Sequence, residues 1–257
     1  MSIFRISLAA AILLISSLAI QFSLAQGFDP FQGFNFRGGG GEFQQAEPPS
    51  TEVIIARLKY GTNGIKGHGG WSHNYPGSDQ RINAFLARST LIDIQEYSYK
   101  VVELGSDEIF NYPFAYVSEP GEMLLTEQEV INLREYILRG GTMIMDDFDG
   151  QQQWDYMEAQ IRRAFPDRSF EPVSEDHLLF YAHEQLESLQ AMSNYVPGNN
   201  ITYYGLYADD GRLAIMAGHN NDLANFWDWY GNGSMPLKPS TDAFRLGTNA
   251  LIYSITH

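Results

Sequence analysis

Residues 126–150, TEQEVINLREYILRGGTMIMDDFDG, read as a complete passage from helix to strand. Thr126 and Glu129 have the spacing of a capping box, in which each side chain covers the other residue's backbone N–H. Val130, Leu133 and Ile137 recur at three- and four-residue intervals and so share one helix face. Gly140-Gly141 end the helix, because glycine takes the left-handed conformation found at helix C-termini. TMIM then predicts a buried strand, which suits a parallel sheet covered by helices on both sides. Carboxylates at Asp146, Asp147 and Asp149 mark its exit.

The same alternation continues on both sides. EVIIARLKY (52–60) predicts the first strand, and YPGSDQRINAFLARST (75–90) a helix with Ile82, Phe85 and Leu86 on one face. LIDIQEY (91–97) and FAYVS (114–118) are strand-like, and a helix is expected around WDYMEAQIRRAF (154–165). ITYYGLYA (201–208) and RLAIMAG (212–218) predict a hairpin across the turn Asp209-Asp210-Gly211. A last helix is expected from about Ser240, with Phe244, Leu251 and Ile255 in register. Strands alternating with helices predict an α/β three-layer sandwich with a mostly parallel sheet over residues 51–257. Ligands in such folds bind outside the carboxyl ends of the strands.

The strand exits are where the polar residues collect. After the first strand a glycine-rich loop carries His68, Gly69, Gly70, Trp71, His73 and Tyr75. It lacks the lysine and spacing of a phosphate-binding loop. After FAYVS, Ser118 or Glu119 stands at a strand-to-helix corner of the kind on which α/β enzymes mount a nucleophile, although no G-x-S-x-G surrounds it and Pro120-Gly121 also reads as a plain β-turn. The crowded acids of DDFDG call for a cation, a proton or hydrogen-bond donors, and one of them is also a natural helix N-cap. Asp176 and His177 precede the apolar LLFY, and GHNND supplies His219, Asn220, Asn221 and Asp222. All these groups are expected at one edge of the molecule. Because adjacent strand residues point to opposite faces, one of Asp146 and Asp147 should face the pocket, within reach of His219.

Composition limits the partners. Among 257 residues, 16 Lys and Arg stand against 31 Asp and Glu, a formal charge of −15 that disfavours nucleic acid. Cysteine is absent, which removes disulfides and thiolate chemistry. Arg5 precedes the apolar run ISLAAAILLISSLAI, and Ser23-Leu24-Ala25 has the small residues of a signal-peptidase site, so residues 1–25 read as a secretory signal and the protein as exported to periplasm, envelope or medium. An uncleaved anchor is the alternative. After cleavage no span of the membrane is expected. Residues 26–50, with six glycines and three prolines and no period, read as a disordered linker.

ARLKYG, GGWSHNYPGSDQRINAFLARST, DEIFNYPFAYVSEPGEMLLTEQEVINLREYILRGGTMIMDDFDG, WDYMEAQIRRAFPDR, DHLLF, GRLAIMAGHNND and FRLGTNALIYSITH, in this order over roughly residues 51–257, resemble the bacterial family known as domain of unknown function 4159. The resemblance implies a flavodoxin-like fold of the class I glutamine amidotransferase-like superfamily. It also implies that the nucleophile corner is Ser118–Gly121, where the amidotransferases carry cysteine, so glutamine hydrolysis by that route is excluded. Fold alone assigns no other activity.

Three functions fit the residues. The first is binding of a small polar ligand, glycan or partner protein, with Trp71, Tyr75, Trp227, Trp229 and Tyr230 as stacking surfaces, or else as core. The second is a metal-assisted hydrolase in which Asp146, Asp147, Asp176, His177, His219 and Asp222 supply ligands to a divalent metal or activate water. The third is an assembly or scaffold module of the cell envelope.

Overall fold

The computed structural model describes residues 53–63, 70–192, 200–231 and 233–257. The expected signal and linker, and His68 and Gly69 of the glycine-rich loop, lie outside the described residues. A seven-stranded sheet has the order β2-β1-β3-β4-β7-β6-β5. Its strands are β1 (Ala56–Lys59), β2 (Lys100–Glu103), β3 (Phe114–Ser118), β4 (Thr142–Phe148), β5 (Glu171–Pro172), β6 (Thr202–Tyr207) and β7 (Leu213–His219). The first five in spatial order are parallel, and β6 and β5 add an antiparallel margin. Among the described residues five α-helices flank them: α1 (Gly77–Ser89), α2 (Glu127–Leu138), α3 (Gly150–Ala164), α4 (Leu223–Asp228) and α5 (Leu237–Thr256). None of the described helices is long and apolar enough to cross a membrane.

Two cores make this a three-layer α/β sandwich. Ile82 and Phe85 of α1, Phe226 and Trp227 of α4 and Phe244 and Leu251 of α5 pack with Tyr116 and Ile144 on one face. Leu133 and Ile137 of α2 and Met157 and Ile161 of α3 pack with Val117 and Met145 on the other. Because β3 and β4 are buried on both faces, Phe114–Val117 and Met143–Met145 run apolar without alternation.

The capping box of α2 is present in full, with Thr126 N donating to Glu129 Oε2 at 2.7 Å and Glu129 N to Thr126 Oγ1 at 3.3 Å. The hairpin forms across Gly211, at φ 85°. Two expectations fail. LIDIQEY is not a strand: Leu91 is 77% exposed, and the edge strand β2 follows at Lys100–Glu103. The last helix starts three residues early, at Leu237, because Pro236 in extended conformation serves as its N-cap.

The parallel strands follow the doubly wound order 2-1-3-4-5, whose crevice opens where the chain reverses direction, between β1 and β3. At that crevice β4 is irregular. Met145 pairs with Ala217 and Phe148 with His219, so Asp146 and Asp147 together oppose the single residue Gly218. This is a β-bulge, which bends a strand and redirects a side chain.

Candidate functional site

The bulge sends its two aspartates to different places. Asp146 points into the core, fully buried, where its Oδ2 accepts from Leu223 N at 2.5 Å and Tyr116 Oη at 3.1 Å and its Oδ1 from Asn221 Nδ2 at 3.0 Å. Burial, and then the neighbouring Asp147, push its pKa up to about 8. Asp146 therefore ties β4 to the start of α4 and faces no solvent. Asp147, at φ 66°, turns instead to the crevice.

There Asp147 Oδ2 lies 2.5 Å from His73 Nδ1 and 3.4 Å from Ser118 Oγ. Glu119 Oε1 approaches the same His73 nitrogen at 3.3 Å. One ligating atom from each of His73, Glu119 and Asp147 falls within 4.8 Å of the others. The imidazole is about one-third exposed, whereas the two carboxylates are largely covered, so the histidine forms the solvent side of the group.

Each member is held by its own backbone. His73 lies in the loop after β1, whose carbonyls at Trp71 and His73 both accept from Arg57 Nη1 at 3.2 Å. Arg57 is fully buried on β1, donates to Asp79 at 3.0 and 2.7 Å and to Ser78 Oγ at 2.7 Å, and lies 4.6 Å above the Tyr116 ring. Burial opposes its charge, but Asp79 more than offsets this and raises its pKa. Glu119, at φ 47° and ψ 52°, forms the corner between β3 and a 3-10 turn at Pro120–Glu122. Its carbonyl and that of Ser118 lie 2.7 and 2.6 Å from the Tyr60 hydroxyl. Burial, then the charges of Glu119, Glu122 and Asp147, hold the Tyr60 pKa well above its ordinary value.

Five described non-glycine residues have positive φ: Asn74, Tyr97, Glu119, Asp147 and Asn220. All but Tyr97 stand at the carboxyl ends of β1, β3, β4 and β7. Such conformations cost roughly 1–3 kcal/mol each and persist only where the surroundings impose them, often at functional sites.

The remaining expected residues divide. Asp222 caps α4 through Asn225 N at 3.0 Å, and burial, with Asp147 and Asp146 nearby, holds its pKa well above the carboxylate range. Asn220 Oδ1 accepts from Gly150 N at 2.9 Å, and Asn221 serves Asp146, so both brace the exit. Asp149 is the N-cap residue of α3 but makes no side-chain cap, and its own N–H donates to Gln153 Oε1 at 2.8 Å. Gly70, at φ 45°, begins the turn that leads to His73, and a Cβ there would meet the Tyr60 hydroxyl at 2.9 Å. Trp71 and Tyr75 are half-buried beside the site, 5.7 Å apart between ring centroids.

His219 does not join the aspartates. Its ring packs 5.3 Å from Trp154 and 5.4 Å from Phe148, and its Nε2 faces Gly150 O at 3.0 Å. It follows Gly218 opposite the bulge, and the side chain falls on the α3 face of the sheet. Asp176 and His177 lie at the opposite end of the sheet: His177 packs 5.5 Å from Tyr253, whose hydroxyl accepts from Leu213 N at the beginning of β7, and Asp176 bonds Ser174. The apolar segment after them, Leu178–Phe180, is a 3-10 turn and not a strand, so they mark no strand exit. Trp227 and Tyr230 are buried core residues, and Trp229 is exposed. His73, one of the polar residues of the glycine-rich loop, takes the place beside Asp147 that was expected of His219. The signal for it was its place in a glycine-rich loop directly after the first strand, the side of the crevice that the strand order opens.

An open cleft of about 310 Å³, lined by Phe110, Tyr112, Arg139 and Gly140 among others, lies at the amino ends of β3 and β4, away from this site.

A family model described as Domain of unknown function (DUF4159) matches residues 54–255. No curated protein matches the chain.

Proposed function

We propose that this chain, which belongs to the domain of unknown function 4159 family, is an exported α/β domain that binds a small polyhydroxylated ligand, such as a sugar unit, at the crevice formed by His73, Glu119 and Asp147. The observation that carries this reading is the convergence of one imidazole and two carboxylates from three strand exits, with only the imidazole well open to solvent. Carboxylates accept hydrogen bonds from hydroxyls, and the half-buried Trp71 and Tyr75 offer ring faces beside them. The strong negative charge disfavours anionic ligands. The apolar N-terminal run and its small-residue end support export.

A thermal-shift screen of the full chain against monosaccharides and cell-wall oligosaccharides tests this. At least one member should raise the melting temperature, and the shift should vanish in Asp147→Asn and His73→Ala. A screen without a responding compound, or an undiminished response in both variants, overturns the reading.

A second reading, hydrolysis, is favoured by one observation: Glu119 occupies a left-handed corner directly after β3 with His73 at 3.3 Å. A reactive group presented at such a corner, next to an imidazole able to relay protons, is the arrangement nucleophilic and general-base enzymes use. Turnover of chromogenic glycosides and esters that disappears in Glu119→Gln would support it.

A further inference from the structure

We infer that His73 Nδ1, Glu119 Oε1 and Asp147 Oδ2 form a binding site for one divalent first-row transition metal ion. This goes beyond the sugar-binding reading and stands independently of it.

The geometry fits before any electrostatic argument is made. Imidazole nitrogen and carboxylate oxygen bind such ions at about 2.0–2.2 Å, which places neighbouring donor atoms about 3–3.5 Å apart around one centre. The three atoms here already lie within 4.8 Å of one another, with Nδ1 at 3.3 Å from Glu119 and 2.5 Å from Asp147. The 2.5 Å contact is a short hydrogen bond. When a cation takes the place of that hydrogen bond, the pair separates by a few tenths of an ångström, and the His73 ring, about one-third exposed, can move by that amount. His73 is also the open side of the group, so the ion has an entry path, and water can complete its coordination.

Charge supplies the second argument. Glu119 and Asp147 meet at the crevice, with Asp146, Asp222 and Glu122 buried behind them, and the nearby guanidinium, Arg57, is already paired with Asp79. A bound cation relieves a repulsion that the fold otherwise carries. The donor set then selects among cations: two carboxylates alone suit calcium or magnesium, whereas one imidazole in three favours manganese, iron, cobalt or zinc. Arg57 acts behind this site as a positioning residue, because it fixes the carbonyls on either side of the turn that presents His73.

The test uses the full chain, stripped with a chelator and dialysed. Cobalt(II) is titrated while its visible ligand-field bands are recorded, and zinc is then added as a competitor. One equivalent of cobalt should bind at micromolar or lower concentration and be displaced by zinc, and calcium should bind at least tenfold more weakly. Glu119→Gln, Asp147→Asn and His73→Ala should each weaken cobalt binding at least tenfold, whereas His219→Ala and His177→Ala should leave it unchanged. Melting curves recorded on every variant show that the chain is folded, and His73→Ala, at a partly exposed position, secures the comparison should a carboxylate variant unfold. Absence of cobalt binding by the folded wild-type chain, wild-type affinity in His73→Ala, loss in His219→Ala, or equal affinity for calcium would each overturn the inference. The sugar screen repeated on the chelator-treated chain keeps the two readings separate, since a sugar response there with no metal uptake overturns only the metal site.

Discussion

Asp147 Oδ2 and His73 Nδ1, 74 positions apart in the chain, meet at 2.5 Å across the crevice between β4 and the loop after β1. The contact exists because the bulge gives Asp147 a left-handed backbone. Substitutions at this position therefore separate backbone effects from side-chain effects. Asp147→Asn tolerates φ 66° and should change unfolding free energy by less than about 1 kcal/mol. Asp147→Gly should be neutral or stabilising by up to about 1 kcal/mol, because glycine adopts positive φ freely. Asp147→Val should lose roughly 1–3 kcal/mol from strain alone. All three should lose ligand response. Urea denaturation beside the thermal-shift screen checks this, and a Val variant as stable as Asn would refute the claim that the backbone is strained there.

Arg57→Met keeps the volume of the side chain but leaves Asp79 buried without its cation, which typically costs about 3–5 kcal/mol. Adding Asp79→Leu should recover most of that loss. It should not recover the crevice, because the Trp71 and His73 carbonyls still lack their donor. Chemical denaturation and cobalt uptake, measured on the single and double variants, should therefore diverge.

His219→Ala removes a ring packed among Trp154, Phe148 and Tyr204. A loss of about 1–3 kcal/mol is expected, with sugar response and metal uptake unchanged. Lost uptake in a folded variant would return His219 to the site from which its contacts remove it.

Acid sensitivity should come from elsewhere in the molecule. Burial lowers the pKa of His183, and burial followed by the charge of His257 lowers that of His177. The unfolded chain then takes up protons below about pH 6.5 that the folded chain refuses, so stability present at neutral pH is lost as pH falls through and below that value. Each such histidine adds a slope of at most about 1.4 kcal/mol per pH unit. His183→Gln should flatten the stability profile between pH 7 and 5, and an unchanged slope would mean that burial does not suppress this proton uptake.

The helix-to-strand passage at 126–150 was legible because both of its signals are local: the capping box needs four residues and the apolar run needs none beyond itself. The parallel sheet followed from alternation alone. What could not be read was which residues meet. A bulge shows only when β4 is aligned with β7, so nothing in DDFDG distinguishes the buried Asp146 from the crevice-facing Asp147. That LLFY folds as a 3-10 turn tied to Asn249 of α5 rather than as a strand is likewise a tertiary property, and His177 lies with it at the far end of the sheet. LIDIQEY misled because alternating apolar residues also occur in a loop that merely covers a core, as Ile94 does here at 6% exposure.

The bulge in β4 also has a genetic meaning. Two residues stand where the partner strand has one, so removal of a single codon, that of Asp147, would bring β4 back to even pairing with β7 and leave Asp146 in its place beneath α4. The scaffold and the crevice are thus inherited as separable characters, one written across some two hundred residues and the other dependent on the count of residues in one strand. A descendant could discard the chemistry in one deletion and keep the protein.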